Sequence, residues 1–293
     1  MSFVAGPVAV RVPASSANLG PGFDALGLAL TLHDEITAEV VDSGLDVRVT
    51  GEGRSGVPLD ETHLVVASMH AAFELMGGRP DGLRLSCVNA IPHGRGLGSS
   101  SAAIVGGIVL ARALVEGGGT LLDDAAAYQL AVDLEGHPDN VAAAMFGGLT
   151  IAWIDGAAAE VERLDTDVEV TVFVPSAEVS TQKARGLLPE TVPHADAALN
   201  AGRAALLIAA LTGSPERLIS ATEDRLHQAY RAEAMPASYK LLRQLRVEGV
   251  PAIISGAGPT VLAFGRGIAD RVPDGWAVHE LDVDRTGATV LSD

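Results

Sequence analysis

The sequence predicts an α+β protein of two lobes. Period-two apolar runs alternate with helical stripes along the whole chain, and the order of elements changes after about residue 155. The length of 293 residues also exceeds the roughly 250 at which a single core stops growing.

The elements follow in order. Val8, Val10 and Val12 alternate with Ala9, Arg11 and Pro13 as a half-buried strand, and a Gly/Pro/Asn/Ser-rich loop then runs from Ser15 to Gly22. Strand patterns recur at Ala25–Val40 and Leu45–Val49. Leu64, Ala67, Ala71 and Leu75 mark a helix over His63–Met76, ended by Gly77, Gly78 and Pro80. Leu83, Leu85 and Cys87 alternate towards Ile91, where Pro92 opens a loop into an Ala/Ile/Val-rich helix at Ser99–Val115. Asp123 and Asp124 put acidic groups at the positive end of a helix over Ala125–Leu134. Gly136–Pro138 stops that helix, Asp139 opens a short one to Phe146, and Gly147–Gly148 restarts the chain as strand. Beyond lie a strand at Val168–Val174, helices near Thr181–Leu187, Ala195–Leu211, Pro215–His227 and Ala237–Val247, and strands at Ala252–Ile254, Thr260–Phe264 and Ala277–Leu281. These give an N-terminal lobe over 1–160 and a C-terminal lobe over 161–293.

Composition narrows the function. A net charge of −17 leaves no basic face for duplex nucleic acid. No 18-residue apolar run lacks charges or turn breakers, which argues against a membrane span. One cysteine, Cys87, excludes a disulfide framework, and Met1–Val10 does not read as a signal peptide, so a cytoplasmic location is expected. Only Lys183 and Lys240 are lysines; arginine's planar fork suits carboxylate and phosphate, although codon bias accounts for most of the arginines.

The most informative segment is Pro92-His-Gly-Arg-Gly-Leu-Gly-Ser-Ser-Ser-Ala-Ala103. Gly94, Gly96 and Gly98 let backbone approach a bulky anion, and the serines open a helix whose free N–H groups favour phosphate. No Lys-Ser/Thr follows the last glycine, so this is not a Walker A loop, and the dinucleotide spacing fails. On its own the segment reads as a phosphate cradle or as a tight turn.

This loop resembles the P-x-x-x-G-L-G-S-S-A signature of the GHMP kinases. Pro13-Ala-Ser-Ser-Ala-Asn-Leu-Gly-Pro-Gly-Phe-Asp-Ala-Leu-Gly27 is similar to the N-terminal motif of the homoserine kinase branch, and Ile254-Ser-Gly-Ala-Gly-Pro-Thr260 to the superfamily's C-terminal glycine motif. Glu135-Gly-His-Pro-Asp-Asn140 and Ser180-Thr-Gln-Lys-Ala-Arg185 fit the same branch. The five motifs stand in family order over roughly residues 8–265.

The resemblance implies an N-terminal lobe of the ribosomal-protein-S5-domain-2 type, a ferredoxin-like C-terminal lobe, and a cleft between them for ATP and L-homoserine. ATP would lie along Pro92, His93, Gly94, Arg95, Gly96, Leu97, Gly98, Ser99, Ser100, Ser101 and Ala102, with His63 at the adenine. Many relatives carry asparagine where His63 stands. Mg²⁺ would be held by Ser100 and Glu135, with Ser99 as the fallback hydroxyl. Asp24 would take the substrate ammonium, Arg185 and Arg231 its carboxylate, and Thr181 and His137 would line the pocket. Asn140 and Asn18 would orient the acceptor hydroxyl, its proton leaving late; Asp139 is the alternative base. The product would be O-phospho-L-homoserine for threonine synthesis. L-Threonine inhibition through the same pocket is a further expectation, and the oligomeric state stays open, a homodimer included. Two alternatives are another small-molecule kinase of the superfamily and a non-catalytic binding protein on the same fold.

Overall fold

The computed structural model describes residues 1–292. The chain begins with β1 (Val8–Ala17), β2 (Leu26–Val41), β3 (Gly44–Gly51), α1 (Leu64–Met76) and β4 (Gly82–Asn89). It continues through α2 (Ser99–Leu114), α3 (Gly118–Leu121), α4 (Asp124–Glu135), α5 (Pro138–Phe146), β5 (Leu149–Asp155) and β6 (Ala158–Leu164). Then follow β7 (Val170–Val174), α6 (Thr181–Arg185), α7 (His194–Thr212), α8 (Leu218–Ala221) and α9 (Pro236–Val247). The last strands are β8 (Ala252–Ile254), β9 (Val261–Phe264), β10 (Ala277–Leu281) and β11 (Thr289–Leu291).

Seven strands form the first sheet in the order β11-β1-β2-β4-β3, with β5 added to β2 and β6 to β5. All pairs are antiparallel except β3 with β4. The register of β1 on β2 shifts between Pro13 and Ala14. Proline has no N–H for the ladder, so a bulge there is the expected accommodation. Helices α1, α2, α4 and α5 contribute Phe73, Ile104, Val105, Ile108, Ala131 and Val141 to a core shared with β1, β2 and β4. α2 packs closely because it carries Gly106 and Gly107: a Cβ on Gly107 would strike the Val65 carbonyl.

The second sheet has the order β10-β7-β9-β8. Its alternation splits the apolar side chains between two clusters. Val170, Val172, Val174 and Leu262 join the core of the first lobe, whereas Phe173, Val261 and Ala263 pack with Leu241, Leu242 and Leu245 of α9. The two lobes thus share one hydrophobic seam.

Three expectations change. β1 runs on through Ser15–Ala17, so the expected loop begins later, at Asn18. The division at residue 160 falls inside β6, and β11 returns to the first lobe, pairing Ala9 with Leu291 and Arg11 with Thr289. The helix expected over Pro215–His227 stops at Ala221. There the Asp224 carboxylate accepts from the N–H groups of Leu226, His227 and Gln228, and Asn200 Oδ1 from that of Arg225. Side chains have replaced the helical bonds.

Candidate active site

A cleft of about 270 Å³ lies where the loop after β1, the glycine loop before α2, the α4–α5 corner, α6 and the Gly256–Ala257 turn converge. It collects Asn18, Asp24, Gly94, Gly96, Gly98, Ser99, Ser100, Glu135, His137, Asp139, Asn140, Thr181, Arg185 and Arg231. Residues drawn from five separate sequence motifs therefore face one space.

One wall is backbone. Gly94, Gly96 and Gly98 have φ of 63°, 76° and 71°, a region that side-chain-bearing residues enter at a cost. A Cβ on Gly96 would collide with the carbonyls of Ser255 and Gly258. The loop is pinned on both sides: Ser255 Oγ donates to Gly96 O at 2.6 Å, Ser15 N to Leu97 O at 3.0 Å and Thr260 N to Arg95 O at 3.2 Å. α2 starts at Ser99 with no side chain capping its first N–H groups, which leaves them available to an anion. Leu97 and Ala102 are buried and serve as scaffold.

Ser100 Oγ and Ser101 Oγ both donate to Glu135 Oε1 at 2.8 Å. Ser101 is buried, so its hydroxyl orients the carboxylate, and Ser100 is the serine that faces outward. Among the described residues no group of three or more His, Cys, Asp or Glu side chains could hold a metal. A site of one carboxylate and one hydroxyl, completed by ligand oxygens and water, still fits a hard ion such as Mg²⁺.

Arg95 does not reach the cleft. Its guanidinium donates to the carbonyls of Pro175, His93 and Ser176 and pairs with Glu178 at 2.9 Å. These partners tie the glycine loop to the second lobe and withdraw the side chain from any phosphate. His63 and His93 line an adjoining cavity of about 330 Å³ that shares Gly94, Ser99 and Ser100 with the cleft. Ile36, Val57, Val65 and Ala103 make it largely apolar, which suits a flat heteroaromatic base. His63 stands just before α1 without capping it through its side chain, is buried, and has no partner for Nδ1 among the described residues; burial holds its pKa below the ordinary imidazole value.

The opposite wall is made of side chains. Asn140, on the first turn of α5, accepts from Ser15 Oγ at 2.9 Å through Oδ1, which leaves its NH₂ group to donate. Asp139 is buried; its Oδ1 accepts from His137 Nδ1 at 3.0 Å and from the backbone N–H of Asn140 at 2.8 Å. The hydrogen bond to Asp139, together with the charges of Asp139 and Glu135, raises the His137 pKa against the effect of burial.

Asn18 lines the cleft and also fastens the loop: its Nδ2 donates to Gly256 O and its Oδ1 accepts from Asp24 N, both at 2.9 Å, which leaves one N–H and one lone pair of the amide for a ligand. Asn18, Leu19 and Asp24 all have positive φ, at 66°, 48° and 55°. Such strain costs about 1 kcal/mol or more per residue and persists only where other contacts over-determine it. Here the clamps include Asn200 Nδ2 to Pro21 O and the His227 ring to Gly20 O, each 2.8 Å.

Asp24 and Arg185, expected to bind opposite ends of a zwitterion, hold each other in a fork of 2.7 and 2.9 Å. Both are more than a third exposed, so the pair contributes at most about 1 kcal/mol and a ligand can open it. Arg231 differs. It is 2% exposed, and among the described residues it has no carboxylate within salt-bridge distance. Thr181, at the start of α6, completes the wall.

Sequence reasoning left out Ser15, Phe23, Val179, Ser180, His227, Gly256 and Ala257. Ser15, Phe23, Ser180, Gly256 and Ala257 sit inside the recognised motifs, and His227 lies four residues before Arg231, so their signal was present.

The model of the GHMP kinases N terminal domain matches residues 63–148 and that of the GHMP kinases C terminal domain residues 197–277. The homoserine kinase of Streptomyces avermitilis is 57% identical, the match covering 99% of this chain and 97% of that protein. That of Clavibacter michiganensis is 51% identical over 97% and 93% of the two chains. Among solved structures, homoserine kinase from Cytophaga hutchinsonii superposes with a TM-score of 0.81 at 24% identity, covering 99% of each chain. Mevalonate diphosphate decarboxylase from Enterococcus faecalis shares the fold at a TM-score of 0.66 and 13% identity, with 98% and 99% covered. Two family models over both lobes, joined by relatives of matching length above 50% identity, make this chain a member of the homoserine kinase family of the GHMP kinases.

Proposed function

We propose that this chain transfers the γ-phosphoryl group of ATP to the side-chain hydroxyl of L-homoserine, giving ADP and O-phospho-L-homoserine. The observation that carries this reading is the pairing of two unlike walls across one cleft: bare N–H groups at the start of α2, and an amino-acid-sized set of Asp24, Arg185 and Arg231. The relatives of nearly the same length from Streptomyces avermitilis and Clavibacter michiganensis are named homoserine kinase, which supports this reading.

Phosphoryl transfer asks the protein mainly for alignment and charge stabilisation. The amides of Gly96 to Ser101 receive phosphate oxygens, and the adjoining cavity receives the adenine beside His63. Ser100 and Glu135 would hold Mg²⁺, which when bound neutralises charge on the phosphate oxygens. The homoserine carboxylate is taken by Arg231 and Arg185, its ammonium by Asp24.

Asn140 NH₂, fixed by Ser15, donates to the acceptor oxygen and directs a lone pair at phosphorus. The new O–P bond forms as the bond to the β–γ bridging oxygen breaks, and the hydroxyl proton passes late to the transferred phosphoryl or to solvent. Asp139 holds His137 and the α5 backbone through Oδ1 and so orients the corner; its Oδ2 is the alternative acceptor of the proton. L-Threonine carries the same ammonium and carboxylate and is expected to compete for the pocket.

An ADP-release assay across L-homoserine, mevalonate, galactose and shikimate tests the assignment. Turnover confined to L-homoserine is expected; turnover of mevalonate without homoserine refutes it.

A further inference from the structure

Arg231 is a buried cation whose protein partners are all uncharged. Its Nε donates to Ala184 O at 3.2 Å, one terminal nitrogen donates to His227 Nδ1 at 3.2 Å, and the guanidinium carbon lies 5.3 Å from the centre of the Phe23 ring. Asp24, Asp224 and Asp139 act on this charge only from beyond contact distance, and burial lowers its pKa in the first place, so an arriving anion relieves a real cost. What keeps the group aimed at the cleft rather than folded towards an acid is the remaining issue, and two residues outside the recognised substrate set answer it.

His227 is completely buried. Its Nε2 lies 2.8 Å from Gly20 O, which has no proton to give, so the ring donates there and Nδ1 is left as an acceptor. Arg231 fills that acceptor. The charged groups facing His227 are Arg231 on its own segment, Asp224 at 3.7 Å from Nε2, and Asp24 across the loop after β1. Burial in the first place, with Arg231 adding to it and Asp224 opposing, holds the imidazole below its ordinary pKa, in keeping with Nδ1 as an acceptor. Phe23 stacks on the same imidazole with ring centres 5.2 Å apart and lies 5.7 Å from the Arg185 guanidinium. One aromatic ring therefore contacts both guanidinium groups and the imidazole, and π faces hold cations without neutralising them.

We infer that His227 and Phe23 are positioning residues for acceptor recognition: together they set the direction of Arg231, and Phe23 sets its spacing from Arg185, which completes a carboxylate fork when a ligand opens the Asp24 pair. This inference rests on the proposed acceptor reading. Neither residue touches the reacting atoms. Their effect belongs in acceptor binding and in discrimination for the carboxylate, with the nucleotide side unaffected.

The test uses the full chain and two acceptors, L-homoserine and 3-aminopropan-1-ol, which is homoserine without its carboxylate. In H227L the KM for homoserine should rise about 10- to 100-fold, kcat and the KM for ATP should stay within about threefold, and the kcat/KM ratio of the two acceptors should collapse by a similar factor. H227N keeps an acceptor oxygen near the Nδ1 position and should recover most of the ratio. F23L should lose part of it and F23Y should keep it. The unchanged KM for ATP reports that the variants are folded. Wild-type turnover of homoserine with an unaltered acceptor ratio in both H227L and F23L overturns the inference. Equal loss in H227L and H227N reduces His227 to core packing and overturns it as well. A wild type that turns over no homoserine defeats the function reading, and the inference falls with it.

Discussion

The glycine-loop wall of the cleft offers backbone, and the acceptor wall offers side chains. On the first, Gly94, Gly96, Gly98, Ser99 and Ser100 of one unbroken segment line the cleft, with Gly96 held against the Ser255 carbonyl so that no side chain can intrude. On the second, Asp24 meets Arg185 across 161 positions, Ser15 meets Asn140 across 125, and His227 meets Gly20 across 207. The contrast follows from the ligands proposed for each. Phosphate is an anion that any array of N–H groups can hold, and in a chain with a net charge of −17 local amides and a helix end are the available attraction. An amino-acid acceptor carries opposite charges on one carbon, and its recognition needs opposite charges set apart at fixed spacing.

The sharpest way to break the comparison lies on the first wall. Replacing Glu135 with alanine removes the carboxylate that accepts from the cradle serines Ser100 and Ser101, and kcat should fall by roughly 10³-fold, the scale of losing a group that acts on transition-state charge. The variant also strands the buried Ser101 hydroxyl, so the thermal midpoint should fall by a few degrees, and kcat is compared well below it. Full activity in this variant would show that the ion site is placed wrongly.

The next effect belongs to the acceptor wall. Arg231→Lys keeps the charge but loses the fork and one of the bonds to Ala184 O and His227. KM for L-homoserine should rise about 30-fold, near 2 kcal/mol, with the KM for ATP unchanged. Equal increases in both constants would mean that the two walls are not separable.

This division also explains what could be read from the sequence. The cradle is local: Gly94, Gly96 and Gly98 announce backbone exposure within five residues, and strand periodicity at Val8–Val12 or Val168–Val174 reports burial in the same short range. Failures appear where distant groups intervene. Arg95 reads as a phosphate ligand until the carbonyls of Pro175 and Ser176 and the Glu178 carboxylate claim it. Asn18 reads as a substrate ligand, but nothing local shows that Gly256, 238 positions away, takes one of its amide N–H groups. The helix expected over Pro215–His227 fails because Asp224 and Asn200 capture its N–H groups, and the return of β11 to β1 has no local signature. The fold's layers were therefore legible, and the acceptor wall was legible in its residue types but not in its partnerships.

Asp139 sharpens the comparison on the question of proton transfer. Asp139→Asn preserves the shape of the corner and an acceptor oxygen for His137. If alignment by Asn140 suffices, kcat should drop by less than about tenfold; a general base should cost about 10² to 10⁴. A loss of the larger size would make this wall catalytic as well as selective.

The smallest effect separates the walls by their response to pH. Backbone amides do not titrate, whereas the His137–Asp139 contact does. The folded-state pKa of His137 is raised, first by its hydrogen bond to Asp139, so the stabilisation is complete below the unfolded imidazole pKa of about 6.5 and is lost as pH rises through the folded value. Wild type should therefore exceed His137→Gln in stability by about 1 kcal/mol near pH 6, with the gap closing at higher pH. In a chain of this size that is roughly 2 °C in thermal midpoint, measurable by calorimetry at two pH values. The gap should vanish at both in an Asp139→Asn background, because the interaction needs the charged carboxylate. A pH-independent gap would mean that a neutral imidazole makes the bond, and would leave the acceptor wall with Asp24, Arg185 and Arg231 as its only charge-bearing contacts to substrate.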